Sequence, residues 1–121
     1  MSRFVLRSVS TGFKFDLKAN NGQVILSSEI YATRAAAIKG IASVKFCAAV
    51  ANVENQTEEG FRKELNPKFE LYRDKAGQFR FRMRARNGKI IGASEGYTAK
   101  AGCLNGIESV RVNAPEAETE E

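Results

Sequence analysis

The chain carries one sequence twice. Displaced by 66 positions, residues 13–45 superpose on 79–111 without a gap, and 14 of the 33 pairs are identical. They are Phe13/Phe79, Phe15/Phe81, Ala19/Ala85, Asn21/Asn87, Gly22/Gly88, Ile25/Ile91, Ser28/Ser94, Glu29/Glu95, Tyr31/Tyr97, Ala35/Ala101, Gly40/Gly106, Ile41/Ile107, Ser43/Ser109 and Val44/Val110. Upstream the match resumes at a displacement of 65, with Phe4, Leu6 and Gly12 facing Phe69, Leu71 and Gly77, so the first copy lacks one loop residue. The copies span 1–54 and 68–121, and 55–67 is a linker. A domain of about 60 residues buries only about 60% of its unfolded surface and is marginal alone. One compact domain with a shared core is therefore expected.

Each copy reads as strand, turn, strand, turn, strand, helix. In the second, Phe79, Phe81, Met83 and Ala85 alternate with Arg80, Arg82, Arg84 and Arg86, the period of a half-buried strand. Asn21-Gly22 and Asn87-Gly88 suit a tight type I′ hairpin, which turns each second strand into a third at Val24 to Tyr31 and Ile90 to Tyr97. Thr33 and Thr98 stand where helix N-caps are expected. Beyond them Ala37, Ile38, Ile41, Val44 and Cys103, Leu104, Ile107, Val110 each make one apolar stripe, so each helix must lie on the sheet. Gly40 and Gly106 fall on those stripes, where each costs about 1 kcal/mol relative to Ala, which points to a close approach of helix to sheet or helix to helix.

Composition narrows the chemistry. There is no histidine, which removes the commonest general base and the commonest metal ligand together. Cys47 and Cys103 are the only thiols and belong to no Cys-x-x-Cys pair, so they read as small buried hydrophobes. Metal-ligand clusters, phosphate loops and nucleophile elbows are absent from the pattern, so no cofactor and no metal is expected. No run approaches the ~18 apolar residues of a membrane span, and Met1-Ser2-Arg3-Phe4 opens no signal-peptide pattern; a cytoplasmic protein is expected. The net charge of +5 is segregated. Residues 1–53 and 66–111 together carry seventeen basic and six acidic side chains, whereas 112–121 holds four glutamates and no base.

The string Phe-x-Leu-Tyr-Arg-Asp-x-x-Gly-x-Phe-x-Phe-x-Met at 69–83, with Asn87-Gly88-x-Ile-Ile, Ser94-Glu95-Gly96-Tyr97 and Asn105-Gly106-Ile107-Glu108-Ser109-Val110, closely resembles the YegP-like family of prokaryotic domains of unknown function. The first copy keeps Asn21-Gly22, Ser28-Glu29-x-Tyr31 and Gly40-Ile41-x-Ser43-Val44, and departs where Lys39 faces Asn105 and Ala42 faces Glu108. The resemblance implies an α+β fold: a tandem repeat of a β3-α-β unit forming one antiparallel sheet with helices on one face. It also implies that the C-terminal strand of each repeat is swapped onto the other, near Ala51 to Glu54 and Ala117 to Glu120, giving a pseudo-dimer in one monomeric chain. It implies no activity, cofactor or substrate.

Two groups of residues are candidates for function. Alternation puts Arg80, Arg82, Arg84 and Arg86 on one strand face at about 6.8 Å spacing, close to that of phosphates on a nucleic-acid strand, with Tyr72 near enough to stack a base. The same stripe is what a solvated sheet face looks like, and the acidic tail has the charge to cover it. The repeated Ser28-Glu29-x-Tyr31 and Ser94-Glu95-x-Tyr97 lie where the third strand leaves for the helix. They read either as polar sites or as junction caps, the carboxylate taking backbone N–H groups and the tyrosine covering the sheet edge. The reading that follows is a non-enzymatic binding protein for a macromolecular partner. The alternatives are weak binding of single-stranded nucleic acid or another polyanion through the arginines, and an enzyme using Glu29 and Glu95.

Overall fold

A computed structural model describes residues 1–121. The first copy supplies β1 (Arg3–Val9), β2 (Gly12–Lys18), β3 (Val24–Ser27), α1 (Arg34–Ala48) and β4 (Asn52–Asn55). The second supplies β5 (Lys68–Arg73), β6 (Phe79–Arg84), β7 (Ile90–Ala93), α2 (Lys100–Asn113), a short 3₁₀ turn at Ala114–Glu116, and β8 (Glu118–Glu120). All eight strands form one sheet in the order β4-β5-β6-β7-β3-β2-β1-β8. The order reads alike from both ends, so an approximate two-fold axis passes between β3 and β7, where Ser27 pairs with Ala93.

The five inner pairings are antiparallel, as expected of hairpin-linked strands. The two edge pairings are not. β4 runs parallel to β5 and β8 parallel to β1, so the sheet is mixed rather than wholly antiparallel. β4 and β5 are joined by the linker at 56–67, long enough to return the chain to the end at which β4 began, and β8 and β1 are the last and first strands, which no turn joins.

Alternate residues of the inner strands point under the helices. Phe4, Leu6, Phe15, Leu17, Phe69, Leu71, Phe81 and Met83 join Ile41, Val44, Cys47, Cys103, Ile107 and Val110 in a single core of 23 buried residues. Each helix straddles the midline, α1 lying on β2 and β7 and α2 on β6 and β3. One core therefore serves both copies. Burial pushes the Cys103 thiol up to about 11, which keeps it protonated and inert.

Three local expectations are corrected. Asn21 and Asn87 do not take positive φ; only Gly22 and Gly88 do, at 83° each. Gly22 N–H donates to Ala19 O and Ala19 N–H to Gln23 O, each at 2.9 Å, and residues 85–89 repeat the pattern. This is a three-residue loop, a type I turn closed by a left-handed glycine, instead of type I′. The third strands stop at Ser27 and Ala93 and regain pairing only at the single bridges Phe13–Tyr31 and Phe79–Tyr97.

The third correction concerns the helix starts. Thr33 caps α1, its hydroxyl accepting from Ala36 N–H at 3.0 Å, but Thr98 lies one residue too early and α2 has Ala99 at its N-cap with no side-chain bond. Ala99 already has the extended backbone of a cap, φ −123° and ψ 143°. Ala99→Ser should raise stability by about 1 kcal/mol, seen as a higher urea midpoint at constant slope. An unchanged midpoint would mean that water already serves the free N–H groups.

Candidate site on the open sheet face

The face away from the helices carries Arg80, Arg82 and Arg84, and they are not free. Arg80 Nε donates to Asp74 at 2.6 Å, Arg82 Nε to Glu70 at 2.5 Å, and Arg84 Nε to the same Glu70 oxygen at 2.8 Å. Arg82 also lies over the ring of Tyr72, 4.5 Å from its centroid. Arg86 departs from the stripe altogether: the register shifts between Met83 and Arg84, β6 ends, and the Arg86 guanidinium turns to the helix side, 4.9 Å from the ring centroid of Phe46 on α1. The acidic tail does not cover the arginines either. It forms β8 at the far edge of the sheet, where Glu120 pairs with Arg3 and Glu121 with Arg34.

Beneath Arg82 and Arg84 lies a buried ionic cluster that sequence reasoning missed. Lys68 Nζ is 2.7 Å from Glu54 and 3.5 Å from Glu70, and Glu54 and Glu70 are only 2% and 4% exposed. Burial pushes the Glu54 carboxyl upward, but hydrogen bonds from Lys68, Gln56 and the Glu64 N–H prevail and hold it at about 2. Glu70 is likewise raised by burial and lowered further by Arg82 and Arg84. The signal was there in part, since Lys68 and Glu70 alternate with Phe69 and Leu71. What was not visible is that β4 brings Glu54 beside them and the linker closes over the top.

The repeated Ser-Glu-x-Tyr motifs divide into a structural part and a free part. Ser28 Oγ accepts from Phe15 N–H at 2.9 Å and donates to Glu29 O at 2.7 Å; Ser94 does the same with Phe81 and Glu95 at 2.9 Å each. Each serine thus takes the ladder position that the ending strand leaves. Tyr31 stacks on Phe15 and Tyr97 on Phe81, and each fills the space over a helical glycine. The glutamate carboxylates do not cap the junction as expected. Glu29 and Glu95 are exposed, and it is their backbone carbonyls that are used.

The close approach inferred at Gly40 and Gly106 is therefore helix to sheet, through the tyrosines. A Cβ on Gly106 would stand 2.9 Å from Tyr97 Cζ and 3.1 Å from Phe81 Cε2, and one on Gly40 would stand 2.7 and 3.1 Å from Tyr31 and Phe15. Gly106→Leu should cost about 1 to 3 kcal/mol, although the same change on an open helix surface stabilises by several tenths. A denaturation midpoint at or above that of the parent would refute the close contact.

The sheet order brings the two motifs together. Ser27 to Ile30 and Ala93 to Gly96 line one shallow cleft of about 670 Å³ on the two-fold axis, with Lys14, Gln78 and Arg80 at its sides. Lys14 and Arg80 are equivalent in the repeat, as are Glu29 and Glu95. No group of three or more His, Cys, Asp or Glu side chains converges to hold a metal.

Comparison with known proteins agrees with this two-copy architecture. The family model described as "Domain of unknown function (DUF1508)" matches twice, at residues 8–55 and 74–121. The chain belongs to that family. It is 35% identical over 114 residues to "UPF0339 protein YegP" of Yersinia pestis, covering 93% of this chain and 88% of that one. It is 67% identical over 48 residues to the "UPF0339 protein in ptx operon 5'region" of Stutzerimonas stutzeri, where the match spans 40% of this chain and 43% of the relative. The solution structure of yegP from E. coli, a protein of unknown function, superposes with a TM-score of 0.79 at 33% identity, covering 98% of this chain and 90% of that one. No helix is long and apolar enough to cross a membrane.

Proposed function

We propose that the protein is a non-enzymatic binding module, a monomeric pseudo-dimer of the cytoplasm, that engages a macromolecular partner through the open face of its sheet. In this reading the copies 1–54 and 68–121, joined by 55–67, exchange their terminal strands to make one platform. The observation that carries it is the cleft on the two-fold axis, about 670 Å³, polar and open, lined by charged residues from both copies. Catalysis by Glu29 and Glu95 is disfavoured because both carboxylates are exposed, without the burial that tunes a general acid or base. Polyanion binding is the second reading, supported by the net charge of +5.

A photoreactive residue placed at Lys14 on the open face, or at Lys39 on the outer side of α1, tests the proposal in cells expressing the full chain. Adducts are expected from Lys14 and not from Lys39. Equal labelling from both positions, or none from Lys14, would exclude the open face as the binding surface. Adducts that are nucleic acid would favour the second reading.

A further inference from the structure

The two copies differ at 19 of the 33 aligned positions, so what they share needs a cause. Nearly every identity has one in the fold. The apolar pairs fill the core, Asn21-Gly22 and Asn87-Gly88 close hairpins, Gly40 and Gly106 receive tyrosines, and Ser28 and Ser94 bond the adjoining strand. Ala35 and Ala101 sit in first helical turns, where Ala is the best helix former. Ser43 Oγ meets Cys47 Sγ at 4.0 Å and Ser109 Oγ accepts from Asn113 Nδ2 at 3.1 Å, each four residues on. Glu29 and Glu95 remain. Their side chains are exposed, meet no cation within ion-pair distance and bond no backbone group, yet both copies keep them and the sheet order sets both in one cleft.

We infer that Glu29 and Glu95, with Lys14 and Arg80, form one dyad-centred site for an extended polypeptide segment carrying both charge signs. The inference rests on the open-face reading above and names its partner class. Charge complementarity selects the occupant. Lys14 on β2 and Arg80 on β6 line the cleft with Glu29 and Glu95, which follow the ends of β3 and β7, so each copy offers it a cation and an anion. A phosphate backbone would gain from Lys14 and Arg80 but would meet two carboxylates. A simple cation would gain from the glutamates and be repelled by Lys14. A segment with basic side chains at Glu29 and Glu95 and acidic ones at Lys14 and Arg80 satisfies all four. Only Ile30 and Ala93 are hydrophobic among the lining residues, which matches a polar segment rather than an apolar helix.

The test uses the full chain against a bead-bound library of short peptides randomised over Lys, Glu, Ser and Val. Recovered peptides are expected to carry both Lys and Glu, and the best of them should shift the amide resonances of Glu29, Ile30, Glu95 and Gly96 saturably. The double variant Glu29→Gln/Glu95→Gln should lose about tenfold in affinity, the sum of two partly exposed ion pairs, while Lys39→Gln changes nothing. Peptides of a single charge sign, no enrichment, or unchanged affinity in the double variant would overturn the inference. Stronger saturable shifts with oligothymidylate would overturn it in favour of a polyanion site. If Lys14 labels a protein partner in cells while the library returns nothing, the segment chemistry is wrong and the open-face reading stands.

Discussion

Produced as separate chains, residues 1–60 and 61–121 will fail to give two stable monomers, and mixing them will restore the native spectrum. β4, made by the first piece, finds its partner β5 only in the second, and β8 of the second finds β1 only in the first. The helices compound the loss, because α1 lies partly on β7 and α2 partly on β3. A piece of about 60 residues that also leaves one helix flank uncovered has too little buried surface to stay folded. Amide spectra and sedimentation of each fragment, alone and mixed, read the outcome. Two sharp monomeric spectra that do not change on mixing would contradict the shared core.

Glu54→Ala will be among the most damaging single substitutions, costing about 3 to 5 kcal/mol. It removes the 2.7 Å partner of Lys68 and leaves a buried ammonium with Glu70 at 3.5 Å as its one carboxylate and the Glu64 carbonyl at 3.3 Å. Replacing Glu54 and Lys68 together by Leu and Met should recover most of that loss, since an apolar pair of similar volume carries no stranded charge. The same carboxyl gives the protein a pH dependence of known sign. Its folded value of about 2 lies below the ordinary 4.5, so the unfolded chain takes up the proton first as pH falls. The associated stability, about 3 kcal/mol, is complete above pH 4.5 and is lost toward pH 2. Urea midpoints of the parent and of Glu54→Gln should therefore converge over that interval. A gap that stays constant with pH would show that the ion pair is not its source.

Much of this architecture is written locally. Period-two alternation and Asn-Gly turns mark the hairpins, apolar stripes mark the helices, and the 66-residue displacement predicts one core. What escaped depends on distant partners. Glu118-Thr119-Glu120 has poor strand propensity and all three residues are exposed; the family resemblance, not the local pattern, pointed to a strand there, and it forms because β1 lies beside it. Arg86 belongs to the alternation on paper, but a register shift after Met83 turns it toward Phe46. Thr98 resembles a cap, yet the helix begins after Ala99. The candidate site divides in the same way. The Ser-Glu-x-Tyr repeat is plain in the sequence, whereas the meeting of its two copies follows from β3 lying next to β7, which no local pattern encodes.

The two-fold axis is only approximate, and its imperfection gives the cleft a head and a tail. Where one rim offers Lys14, Ser27 and Ile30, the other offers Arg80, Ala93 and Gly96. A site assembled from two identical chains would accept an asymmetric strand equally well in either direction, so half of its encounters would be indistinguishable from the other half. Fusing the copies lets each rim drift on its own, so a chain bound as proposed would be read in one direction. For the segment site proposed above, duplication therefore turns a surface that is blind to orientation into one able to tell N-terminus from C-terminus.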